Sequence, residues 1–434
     1  MTDIAITTDG GAADSPALDP PALSRIATLD IVRGIAVMGI LAMNIVAFAG
    51  PFQAYMNPLT HGMEGPADLA SWVFSFIFVD GKMRGLFSFL FGASTLLVIE
   101  RATASGQSPA KVHYMRMIWL LVFGLLHFYL IWWGDILALY AMAGFFLYFF
   151  RNLSVRALIG WGIGLVAVQF LMFAGLAALA QFTSVAIAAP NPDPDMVRQW
   201  EEMSRGFVPL AGQQLADHLA LFQGPWSGLV EDRASRQALK PFTSLPFFGW
   251  ETVGYMLFGM AALKSGFFRG EWPMARYRKM ALIGFGIGIP VYGLLAWLLI
   301  RADFAPQAIF AFSFAATVPF RPLMILAIAS LIIIVTRNGG FLVDRIAAAG
   351  RAAFTNYLGT SLLMTTIFYG YGLNLYMSLS RIEMWIPVLA AWTLMLLWSK
   401  PWLDRFRYGP FEWLWRSLSR MELQPMRKDP AAEA

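Results

Sequence analysis

From Tyr114 to Asp135 the chain reads YMRMIWLLVFGLLHFYLIWWGD, a run apolar almost throughout that nevertheless carries Arg116, His127 and Asp135. It is long enough to cross a bilayer, which takes about 20 residues of helix. A backbone in hydrocarbon must satisfy its own hydrogen bonds, so such a run forms a helix or a strand of a closed barrel. Similar runs recur along the chain and are continuous rather than alternating, which excludes the barrel. With 58% of 434 residues hydrophobic and only 14% charged, a soluble fold of this length lacks the charge to cover its surface. The expected fold class is therefore all-α, a polytopic transmembrane helix bundle.

Taken in order, residues 1–24 read as a disordered cytoplasmic tail without the basic start of a signal peptide. An N-terminal membrane half, 25–188, holds spans at about 29–49, 82–101, 115–131, 136–150 and 157–185. Between the first two, residues 68–80 read as a short re-entrant or interfacial helix. A long polar region, 189–244, follows as an extracytoplasmic loop or lid, with amphipathic helices expected at 196–205 and 213–222. The C-terminal half, 245–424, holds spans at about 247–263, 281–300, 309–335 (broken at Pro319-Phe320-Arg321-Pro322), 353–371 and 384–398. The aromatic and basic strip SKPWLDRFRYGPFEWLWRSLSR reads as an interfacial helix before a short tail, 425–434. About ten spans result. That number places every basic loop on one side, so the positive-inside rule puts both termini in the cytoplasm and 189–244 outside.

Composition also narrows the chemistry. There is no cysteine, which removes disulfides, thiolate metal sites and cysteine nucleophiles. No metal-ligand spacing, glycine-rich phosphate loop or nucleophile elbow is present. The net charge of +5 sits in short loops between apolar runs and reports orientation rather than nucleic-acid binding. The expected partners are membrane lipids and a small-molecule or lipid-like substrate.

Ionisable groups at membrane depth are costly and mark function by default. Arg116 and His127 are eleven residues apart, about three helical turns, and so project from one face about 16 Å apart. Asp135 follows His127 across the tight Trp133-Gly134 turn, placed either to orient the imidazole or to cap the next helix. His61, His113 and His218 lie in loops or connections, which leaves His127 as the candidate base and Asp135 as its partner. Arg33 and Asn44 repeat the eleven-residue spacing in the first span, with Asp30 one turn before Arg33. Arg84 lies in the charged turn Asp80-Gly81-Lys82-Met83-Arg84, and Arg351 and Asn356 add polarity near the start of another span. Asp30, Arg33, Asn44, Arg84, Arg116, Arg351 and Asn356 form the candidate substrate-binding set. Asp30, Arg33, Arg84 and Arg351 are expected to converge on one polar cavity open to the cytoplasm.

The segments LDIVRGIAVMGILAMNI, RGLFSFLFG, GLLHFYLIWWGDILALYAMAG, GRAAFTNYLGTSLL and YGPFEWLWRSLS together resemble the YeiB-like inner-membrane family, from about Ile26 to Arg420. That resemblance implies a bacterial inner-membrane protein whose C-terminal half is catalogued as domain of unknown function 418. The family has been linked loosely to transport and has no established activity. The opening LDIVRG is also similar to the start of the membrane acyltransferase superfamily. In its family 3 enzymes an arginine is followed, after ten residues, by a histidine held to be catalytic. Arg33 matches the arginine, but Asn44 stands at the histidine position and cannot act as a base. Two functions remain in view. One is a membrane acyltransferase-like enzyme modifying an envelope lipid or glycan, using acyl-CoA or a similar donor and no bound cofactor. The other is a transporter of a small anionic or lipid-like substrate.

Overall fold

The computed structural model describes residues 27–428. The expected disordered tail, 1–24, and residues 429–434 of the expected C-terminal tail lie outside the described residues. The N-terminal half holds α1 (Ala27–Ala49), α2 (Phe52–Met56), α3 (Pro66–Phe74), α4 (Lys82–Ala104), α5 (Pro109–Leu126), α6 (Leu137–Leu147) and α7 (Val155–Ile187). The polar insert holds α8 (Pro194–Ser204), α9 (Gly212–Phe222) and α10 (Trp226–Ser235). The C-terminal half holds α11 (Lys240–Lys264), α12 (Met274–Arg301), α13 (Pro306–Ala308), α14 (Arg321–Thr336), α15 (Phe341–Arg351), α16 (Ala353–Phe368), α17 (Trp385–Arg405) and α18 (Pro410–Arg420). Among the described residues the only β pairing is a single bridge between Phe406 and Arg427. The all-helical expectation holds.

Among the described residues, six helices are long and apolar enough to cross a membrane: Ala27–Ala49, Pro66–Ala104, Pro109–Ile131, Val155–Ala186, Met274–Arg301 and Trp385–Arg405. The structure does not establish the expected ten. Leu137–Phe150, for example, is apolar but rises only about 21 Å, short of a hydrocarbon layer of about 30 Å. Trp161 and Leu171 on α7, Leu282 and Leu294 on α12, and Leu389 and Leu394 on α17 are exposed, an outward apolar belt suited to lipid. The strip after Trp398 is not one interfacial helix. Pro401 lies inside α17, which runs on to Arg405, and α18 starts afresh at Pro410. A proline within a helix removes one backbone hydrogen bond without necessarily ending it.

Two helix crossings hold the functional residues at their levels. α4 and α11 cross at Gly92 and Gly259, where a Cβ would fall 1.9 Å from the Met256 carbonyl oxygen and 1.8 Å from that of Phe89. α1 and α15 cross at Gly34 and Gly350, where a Cβ would fall 2.1 Å from the Ile346 oxygen and 1.8 Å from the Asp30 oxygen. Only a hydrogen fits at these points, the small-residue packing that brings membrane helices together. The first crossing sets Arg84 beside Glu251; the second fixes Asp30 and Arg33 against the end of α15.

The insert forms its expected helices close to their expected places, and adds α10. It is tied to the end of α5 by Trp226 Nε1 donating to the Leu130 carbonyl at 2.7 Å and Tyr129 Oη donating to that of Ala238 at 2.6 Å. Its other anchor is the segment after α16, where His218 and Tyr376 share a 2.7 Å hydrogen bond and Phe222 stacks on Tyr376.

Candidate functional site

α5 does not end as a regular helix. His127–Ile131 continues it as a wide π-type turn, Trp132 is extended, and Gly134 lies where a Cβ would strike the Trp132 ring. This sharp reversal folds Asp135 back onto His127. His127 Nδ1 donates to Asp135 Oδ1 at 2.8 Å, and both side chains are 1% exposed. Asp135 Oδ2 accepts the Ala138 amide at 2.8 Å and so also caps α6. Both contacts that the sequence left open, to the imidazole and to the start of the next helix, are made. His127 Nε2 is buried and, among the described residues, has no hydrogen-bond partner; the centres of the His127 and Tyr357 rings lie 5.3 Å apart.

The segment from Asp135 to Tyr140 is the wall between two cavities. Ile136 faces both, Asp135, Ala138 and Leu139 line one, and Leu137, Tyr140 and Tyr357 line the other.

The first cavity, about 520 Å³, is rich in arginine: Arg33, Arg101, Arg116, Arg351, Arg407 and Arg416 line it, with Asp30 and Glu412 as its carboxylates. Arg33 donates to Asp30 Oδ1 at 3.1 Å and to Ser94 Oγ at 2.7 Å. The Arg116 guanidinium lies 4.1 Å from the centre of the Trp415 ring, a cation–π contact. Glu412 is occupied by the start of α16, accepting from the Phe354 amide at 2.6 Å, the Thr355 amide at 3.1 Å and the Thr355 hydroxyl. Burial pushes the Glu412 carboxyl above its usual range, and the Thr355 hydrogen bonds oppose that shift. Six arginines thus face two carboxylates, both of them engaged, which suits a multiply charged anion.

The second cavity, about 450 Å³, has aromatic walls and a charged floor. The Glu251 carboxylate is shared by Arg84 and Arg321 and also accepts from Tyr255 Oη at 3.2 Å. Asp80 accepts from Tyr55 Oη at 2.8 Å. Lys82 donates to the Phe76 carbonyl and lies 3.4 Å from the Tyr292 ring centre. Lys240 to Ser244, at the end of the polar insert, close its side.

The candidate residues are thus divided. Of the four residues expected to converge, Asp30, Arg33 and Arg351 line the arginine cavity, with Arg116 beside them, but Arg84 does not join them, because its guanidinium is held in the second cavity by Glu251. Asn44 also lines the second cavity. The eleven-residue spacings do not keep their members together: Arg33 and Arg116 line the first cavity, Asn44 lines the second, and His127 lines neither. Asn356 lines neither. Its amide donates to the Ala349 carbonyl at 3.0 Å and to Ser399 Oγ at 3.2 Å, and accepts from Trp398 Nε1 at 2.9 Å, bracing α15, α16 and α17. Glu251, Arg321 and Lys82 were not among the candidates. A lone acid in an apolar run and an arginine between prolines in another were the available signals.

Residues 262–422 match the family described as Protein of unknown function (DUF418). The chain is 31% identical over 390 residues to the "Uncharacterized protein YeiB" of Escherichia coli (strain K12), covering 86% of this chain and 91% of that one. It is 30% identical over 383 residues to the "Uncharacterized protein YxaH" of Bacillus subtilis (strain 168), covering 83% and 85%. No solved structure matches it.

Proposed function

The chain belongs to the family of YeiB and YxaH with its DUF418 region, and from that premise we propose that it is an acyltransferase-like enzyme of the bacterial inner membrane, modifying an envelope lipid or glycan. The observation that carries the reading is the His127–Asp135 pair inside the wall between two cavities of different chemistry. A donor of the acyl-CoA class brings phosphates, and Arg33, Arg116, Arg351 and Arg416 supply a surface for them. The acceptor enters from the aromatic cavity. With Asp135 accepting from Nδ1, Nε2 is the nitrogen left to take a proton. His127 lines neither cavity at rest; a shift of the Ile136 or Tyr357 side chain would bring Nε2 within reach. In the transfer, Nε2 accepts the proton of the acceptor hydroxyl as its oxygen attacks the thioester carbonyl. The new C–O bond forms, the C–S bond breaks, and the departing thiolate takes the proton back.

Orientation belongs to the same proposal. The basic loops favour a cytoplasmic side for both termini and the arginine cavity, where acyl-CoA is found, with 189–244 outside. Reporter fusions at Gly106, Asn152 and Gly270 should all read cytoplasm. A periplasmic signal at any of them would reverse the sides assigned to donor and acceptor.

Because the chain has no cysteine, a thiol reagent reports only thiol released from the donor. The purified protein in native-lipid nanodiscs should release thiol from acetyl-CoA or a longer acyl-CoA, and His127→Gln should lose about 100-fold or more of that rate. Extracts of a deletion strain should lack an acyl group that reappears on complementation. Full activity of His127→Gln would remove the acid–base role. The geometry that favours transport instead is the pair of cavities on either side of a thin wall, the arrangement alternating access requires. Solute uptake by proteoliposomes without thiol release would establish that alternative.

A further inference from the structure

The floor of the aromatic cavity holds a charge that the protein does not neutralise. Four cations line it, Lys82, Arg84, Lys240 and Arg321, against three carboxylates, Asp80, Asp135 and Glu251. Each carboxylate is already engaged: Glu251 by the two arginines and Tyr255, Asp135 by His127 and the Ala138 amide, Asp80 by Tyr55. Lys82 is 1% exposed and, among the described residues, makes no direct ion pair; the carboxylate whose charge acts on it is Asp80, two residues away and hydrogen-bonded by Tyr55. Its ammonium has three donors, one given to the Phe76 carbonyl, while the Tyr292 ring covers another side. Among the described residues the Arg321 Nε is also buried without a hydrogen-bond partner. A desolvated cation held by a carbonyl and a ring is costly unless an anion completes it.

The backbone around this cavity points the same way. The described residues contain three π-type turns, Ser75–Val79, His127–Ile131 and Ile309–Ala315, and each contributes a wall residue: Phe76, Phe128 and Phe314. Such turns are rare and concentrate at functional sites. Gly81, at φ +70°, turns the chain so that Lys82 starts α4 directly on the floor. A volume near 450 Å³ is in the range of ligand pockets, about 300–1,000 Å³.

We propose that this cavity binds an amphiphile whose oxyanion head, a carboxylate or a phosphate, sits on Lys82 and whose apolar chain lies among the aromatic walls. The fit is chemical at both ends: a donor-bearing cation for the head, and phenylalanine and tryptophan faces for the chain. The site needs no acyl transfer and stands whether or not His127 is a base.

The test uses the full-length protein in nanodiscs with radiolabelled dodecyl phosphate and dodecanoate, against labelled dodecanol and inorganic phosphate. The wild-type protein should bind at least one of the two anionic amphiphiles about tenfold or more tighter than dodecanol, and inorganic phosphate should fail to displace it at comparable concentration. Whichever anion binds tighter names the head as fatty carboxylate or phosphorylated lipid. Lys82→Met should weaken that binding about tenfold or more, Lys82→Arg should restore most of it, and His127→Gln should bind as the wild type does. The inference is overturned if dodecanol binds as tightly as both anions, if inorganic phosphate competes as well as the amphiphile, or if a folded Lys82→Met protein keeps its affinity. Should Lys82→Met not fold, the wild-type comparison of anionic and neutral chains decides alone.

Discussion

Glu251→Ala is expected to be among the most damaging single substitutions in the bundle, losing about 3–5 kcal/mol of stability and most of the protein from the membrane. Its carboxylate, 1% exposed, is the shared partner of Arg84 and Arg321. Removing it leaves two guanidinium groups facing each other across an apolar interior, each desolvated and neither neutralised. The loss should show as a fall in thermal stability in detergent and in membrane abundance. The cause is separable from a simple void: with Arg84→Met and Arg321→Met added, Glu251→Met should recover much of the lost stability, because burying no ions is often as favourable as burying a matched set. A single Glu251→Ala protein as stable as the wild type, or a triple variant no better than the single, would show that the network does not hold the bundle in this way.

That network also shows where reading residues along the chain reaches its limit. The helices themselves were legible, because apolar runs and polar breaks are local: α7 and α12 lie over the runs that predicted them, and the break around Phe320 separates two helices. The His127–Asp135 pair was legible for the same reason, since eight residues and a Trp133-Gly134 turn join its members. The two cavities were not. Arg84 reads as a companion of Arg33 and Arg351 by depth and charge, and only the parallel crossing of α4 and α11 at Gly92 and Gly259 shows that Glu251 takes it elsewhere. Glu251 is 167 residues from Arg84, and no spacing rule connects them. Asn356 misled in the opposite direction: a polar residue in a small-residue helix looks like a ligand group until the helices that its amide braces are in place.

Asp135→Asn should lower the thiol-release rate by about 100-fold, no more than His127→Gln does, with little change in donor KM or in thermal stability. An asparagine is nearly the same shape, and its carbonyl oxygen can still accept the Ala138 amide and cap α6, so the local fold has no reason to fail. The change falls on the imidazole. The carboxylate holds the proton on Nδ1 and leaves Nε2 bare; an amide NH₂ turned toward Nδ1 asks that nitrogen to accept, and moves the proton to Nε2. The nitrogen that must receive the acceptor's proton is then already occupied. A merely structural Asp135 would act through stability, and its asparagine variant would keep its rate once folded. A base oriented by Asp135 predicts a folded enzyme with donor affinity intact and kcat lost. Because the same histidine is disabled in both, the His127→Gln and Asp135→Asn effects should not add: the double variant should be about as slow as the slower single one. Additive losses would place the two residues in separate roles, and an asparagine variant within a few-fold of the wild type would end the case for His127 as an oriented base.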